Sequence, residues 1–126
     1  MRLMIAGLML ANAAVFLFGA AQHAGISIGR LSEPVILPAT IVETLCAISL
    51  IGGVVAAWTG SRRAWPLALA GNLVAIAGVI IGMVALAIGS GPRTASNDWY
   101  HRLMLALASV AILMLFLPSG RMALRR

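Results

Sequence analysis

Acidic residues are almost missing from this chain: it has three Asp and Glu among 126 residues, set against nine basic residues, all of them Arg. Lysine is absent altogether, and charged residues make up only 10% of the chain, where a soluble globular domain carries about 25%. That excludes a folded core wrapped in a charged, water-facing surface. The single cysteine, Cys46, excludes an intrachain disulfide and a dithiol redox pair. In its apolar setting it reads as a small hydrophobe. The sequence also lacks Gly-x-Ser-x-Gly, His-Glu-x-x-His and any phosphate-binding loop, and the hydroxyls within its apolar runs are the ordinary Thr40, Thr44, Ser49 and Ser109. The chain is therefore not read as an enzyme, and no cofactor is assigned to it.

What fills the chain instead is hydrocarbon. Hydrophobic residues make up 62% and the mean hydropathy is +1.05. A helix needs about 20 apolar residues to cross a bilayer, and four such runs fit, over residues 3–21, 38–58, 66–88 and 99–117. The runs are long rather than alternating, which favours a helical bundle over a barrel. The expected fold is an all-α integral membrane protein, one domain over residues 1–126, in which four spans form an antiparallel bundle. The net charge of +6 is read as orientation and not as nucleic-acid binding. Arg2, Arg62, Arg63, Arg121, Arg125 and Arg126 fall on one side of this topology, and Arg30, Arg93 and Arg102 on the other. By the positive-inside rule the first side, with both termini, is cytoplasmic in a plasma membrane or bacterial-type inner membrane. The bilayer is then the first partner, with roughly 1 kcal/mol from each Arg well placed against anionic lipid.

Arg2 and the apolar run behind it resemble a secretory signal, with Gly19 and Ala21 as a small-x-small site. The run of about 19 residues exceeds the 7 to 15 of a signal core, so it is read as a retained first span. Asn12 at its middle is expected to bond across helices. In the loop that follows, Ser32 is the expected N-cap with Pro34 in the first turn, and Pro38 begins or kinks the embedded part. Within the second span Glu43 shares a helical face with Cys46, Ala47, Leu50, Gly53, Val54 and Ala57, so it should look into the bundle. Trp58 and Trp65 flank the tight turn that holds Arg62 and Arg63, while Trp99 and Tyr100 form the belt at the opposite interface. Ser96 or Asn97 should cap the last span, with Asp98 in its first turn, and Pro118-Ser119-Gly120 should end it before a basic tail.

The third span carries the clearest pattern. Ala68, Gly71, Ala75, Gly78, Gly82, Ala85 and Gly89 recur at alternating steps of three and four, a small-residue stripe that allows close left-handed packing. Gly78 and Gly82 are the expected point of closest approach, and Asn72 beside the stripe is read as a second interhelical contact. A homodimer seam is the competing use of the stripe.

Ionisable residues gather where three helix ends should meet: His23, Glu33, Glu43, Asp98, His101 and Arg102. A carboxylate inside a span is costly unless it is paired, protonated or wet. The structural reading pairs Glu43 with Arg102 or Arg30, and His101 with Asp98. Other readings of the same cluster are a zinc or iron site from His23, His101 and a carboxylate, a bis-His haem, a proton-carrying Glu43, and a lipid or quinone headgroup pocket that also uses Tyr100. Small four-span transporters of the multidrug-resistance type resemble the chain in size and span count. Their essential Glu lies in the first span, however, where this chain has Asn12 and no acid, so no kinship is drawn. The functional expectation is a binding, scaffolding or accessory subunit of a membrane assembly, joined to a membrane-protein partner or to copies of itself. A proton-coupled transporter protomer using Glu43 is second, and a metal-, haem- or quinone-binding redox accessory using His23 and His101 third.

Overall fold

A computed structural model describes residues 1–27, 34–91 and 94–125. Five helices account for nearly all of them: α1 (Arg2–His23), α2 (Leu37–Trp58), α3 (Ala64–Ala87), α4 (Ala95–Phe116) and the short α5 (Pro118–Leu124). The first four are long and apolar enough to cross a membrane. They run alternately up and down: the end of α1 meets the start of α2 through His23 and Glu43, and the start of α3 meets the end of α4 through Trp65 and Leu115. In ring order α1 packs on α2, α2 on α3, α3 on α4, and α4 closes on α1.

The buried positions explain this packing. In α1 they include Ile5, Met9, Asn12, Phe16, Gly19 and His23, in α2 Glu43, Cys46, Leu50, Gly53 and Ala57, and in α4 His101, Met104, Ala108, Ala111 and Leu115. Each set steps by three and four, the repeat of about 3.5 residues that keeps one seam facing the bundle axis along its length. Outward positions are apolar as well, among them Leu3, Leu45, Ile48, Ile81 and Leu113. Large side chains thus cover both faces, as expected of helices that do not meet water along their length.

The small-residue stripe of α3 divides its work. Gly71 lies against the backbone of α2, where a Cβ would sit 2.7 Å from the Ser49 carbonyl oxygen, and Gly53 lies against the Ala68 backbone. This pair, about two turns nearer the start of α3 than Gly78, is the close backbone approach. Gly78 instead receives the side chains of Cys46 and Val42, and Gly82 receives His101 of α4. Ala75 is fully buried and Ala85 half-buried. Gly89 does not pack; it lies beyond the helix with φ of 79° and ends it. There Ser90 donates to Ala85 and Gly89 to Leu86, the bond pair that closes a helix through a left-handed residue. Gly60 ends α2 in the same way.

Several local expectations change. Pro34 precedes α2, and Pro38 occupies its first turn, where the N–H it lacks would have no partner in the helix; the expected cap Ser32 lies outside the described residues. Thr94, not Ser96 or Asn97, caps α4 by accepting from the Asn97 amide at 3.2 Å. Leu117 turns extended at Pro118, but the basic tail re-enters helix as α5 because proline suits a first helical turn. Asn12 does cross to α4, donating to the Met104 carbonyl at 3.4 Å, whereas Asn72 turns back to Ala68 of its own helix at 2.8 Å.

Candidate functional site

Glu43 lies about 9 Å along α2 from its first residue, at 1.5 Å per residue, and is only 7% exposed. A carboxyl this deep needs its oxygens occupied. Both are: Oε2 lies 2.9 Å from Nδ1 of His23, and Oε1 accepts from the Tyr100 hydroxyl at 2.9 Å. A proton lies between Nδ1 and Oε2 whichever group holds it, because neither partner bonds the other without one. Three helices thus meet at one carboxyl.

Gly19 makes room for this meeting. A side chain there would overlap the Tyr100 hydroxyl and come within 2.8 Å of Glu43 Oε1. The same absence lets the tyrosine hydroxyl reach 3.5 Å from the Val15 carbonyl of α1. Gly19 stands one turn before His23 and on the same face. In the sequence that spacing is the sign of a notch, at a residue that otherwise stands out only as part of a possible cleavage site.

His101 is organised separately. Its Nδ1 is 2.8 Å from the Asn97 carbonyl one turn back in α4; a carbonyl only accepts, so Nδ1 carries the hydrogen. The expected partner Asp98 is thereby replaced. In the neutral ring Nε2 is then an acceptor, and it faces Gly82, where a Cβ would collide with it. The Tyr100 and His101 rings meet edge to face at 5.5 Å.

The remaining members of the expected cluster stand apart. Arg102 is exposed, with its guanidinium over the Trp99 ring at 5.9 Å. It is not the partner of Glu43, because it leaves α4 about 200° around the helix from Tyr100. Asp98 is in the first turn of α4. Glu33 and Arg30 lie outside the described residues. Tyr100, expected in an interfacial belt, is turned inward, and only Trp99 remains exposed there.

Beside the carboxyl is a cavity of about 230 Å³, bordered by all four long helices and partly open. Glu43, His23, Tyr100 and His101 all line it, and Val42, Val79 and Met104 are among its apolar walls. Among the described residues no three His, Cys, Asp or Glu side chains gather as metal ligands. The histidine rings are directed to different neighbours, His23 to Glu43 and His101 to Gly82, so they do not form a bis-imidazole pair. No protein-family model, curated protein or solved structure matches this chain.

Proposed function

We propose that the protein is an integral membrane four-helix bundle with both termini on the cytoplasmic face, serving as a binding or accessory subunit of a larger membrane assembly. Four apolar helices and the grouping of Arg2, Arg62, Arg63, Arg121 and Arg125 at one end support the placement. The observation that carries the role is the cavity held open beside a carboxyl tied to two other helices. A bundle of this size leaves little volume for a private pore, which favours a partner or a second copy. In the test, Glu43→Gln keeps the side-chain shape but removes one acceptor oxygen. It should weaken co-purification with the assembly partner and leave liposomes containing the protein without ion or substrate flux. Robust flux that depends on Glu43 would sink the accessory role. Labelling of Arg62→Cys from the outer side only would overturn the orientation.

The proton held between His23 and Glu43 supports a second reading, a proton-coupled transporter protomer with Glu43 as carrier. The same flux measurement decides between the two. Neither a metal nor a haem gains support from the histidine geometry. A small organic ligand does, through the cavity.

A further inference from the structure

We infer that the cavity binds a small lipid-soluble molecule, a single ring bearing a hydroxyl, whose O–H donates to Nε2 of His101. The inference rests on the binding role just proposed and names the chemistry of its ligand.

The first argument is an inventory of hydrogens. His23 Nδ1 and the Tyr100 hydroxyl are both turned onto Glu43, and His101 Nδ1 onto the Asn97 carbonyl. The inner wall has spent those donors within the protein. It offers acceptors: His101 Nε2 and the remaining lone pairs of Glu43. Half-exposed Asn97 and exposed Ser90, which can donate as well as accept, lie near the α3–α4 turn. His101 is only 8% exposed, and its Nε2 has no hydrogen-bond partner among the described residues. An acceptor left bare among apolar side chains forfeits a hydrogen bond that a ligand hydroxyl can supply. Gly82 keeps that nitrogen uncovered, since any side chain there would close over it.

Size supplies the second argument. A buried apolar cavity of about 150 Å³ accommodates benzene, so about 230 Å³ holds one ring with a short substituent. The walls from Val42, Val79 and Met104 suit its hydrocarbon part. The bare His101 Nε2 also discriminates: a phenol or hydroquinone donates to it, whereas a methyl ether or a quinone brings only lone pairs to its lone pair. The pocket should therefore prefer the reduced, hydroxyl-bearing partner of any quinone pair.

The full chain in lipid nanodiscs, labelled with nitrogen-15 at its two histidines, allows a direct test with para-butylphenol and para-butylanisole. The phenol should move the His101 Nε2 resonance saturably and bind about tenfold more tightly than the anisole, the size of one added hydrogen bond. Gly82→Ala should weaken the phenol about tenfold, and His101→Phe, which keeps a ring but removes the nitrogen, should make the two compounds equal. The inference falls if the anisole binds as well as the phenol, if neither binds, or if the phenol leaves His101 Nε2 unmoved. These readings use wild-type protein and stand even where a variant does not fold. They are independent of partner co-purification, whose insensitivity to Glu43 would count against the accessory role alone.

Discussion

The Glu43 end and the arginine end of the bundle solve the same problem, fastening helix termini together, by different chemistry. At the Glu43 end the groups are buried and bond side chain to side chain, His23 and Tyr100 both to one carboxyl. At the arginine end Arg62, Arg63, Arg121 and Arg125 stay exposed. Arg121 stands over Trp65 at 5.7 Å and over Phe116 at 5.2 Å, Arg125 over Trp65 at 5.5 Å, and Trp65 and Phe116 pack edge to face. The hydrogen bonds there run to free carbonyls at helix ends, from Arg2 to Trp58 and from Trp65 Nε1 to Leu115. Exposed cations can exchange a ring for water at little cost, whereas a buried donor deprived of its carboxyl loses its closest acceptor with no bulk water to replace it. The two ends should therefore differ sharply in tolerance to substitution.

Removing the carboxyl is the strongest test of that asymmetry. Glu43→Ala removes the closest acceptor of two buried donors and should cost about 3–5 kcal/mol of unfolding free energy, measured by denaturant titration in detergent; a loss below about 1 kcal/mol would erase the contrast. Gly71→Ala comes next, at about 1–3 kcal/mol in the same assay, because the new methyl meets the Ser49 backbone, which cannot swing aside. Gly19→Ala should cost about 1–2 kcal/mol by crowding the Tyr100 hydroxyl. Tyr100→Phe, mildly destabilising alone, should relieve it, with a coupling of at least about 0.5 kcal/mol in a double-mutant cycle; strict additivity would detach Gly19 from the network. The smallest effect belongs to the other end. Arg121→Ala should cost only about 0.5–1 kcal/mol, and a loss as large as that of Glu43→Ala would show the arginine end to be equally committed.

The four long helices were legible because each apolar run is bounded by a chemically distinct stop. The turn around Gly25, the Gly60 turn, Gly89 and Pro118 interrupt the hydrocarbon at intervals near one bilayer thickness. The inward face of α2 was legible too, since periodicity alone places Glu43 with Cys46, Leu50 and Gly53. Its partner was not. Matching opposite charges selects Arg102, but the rotation of α4 decides which residue faces inward, and it brings Tyr100 to the carboxyl. The register between helices distant in sequence is set by close contacts such as Gly19 with Tyr100 and Gly82 with His101, which no single-helix pattern contains. Likewise, the stripe on α3 announced close packing without saying that its Gly82 would serve α4 rather than α2.

The two bonds to Glu43 also differ in when they can form. His23 is separated from it by 20 residues and Tyr100 by 57. In the proposed membrane bundle, synthesis from the N-terminus would deliver α1 and α2 as a hairpin in which the carboxyl already has a proton-sharing neighbour, so the second helix would not enter lipid with a solitary charge. Tyr100 reaches the carboxyl only after the fourth helix is made. The carboxyl is thus sheltered early by a nearby residue and sealed late by a distant one, which lets a buried acid be assembled stepwise.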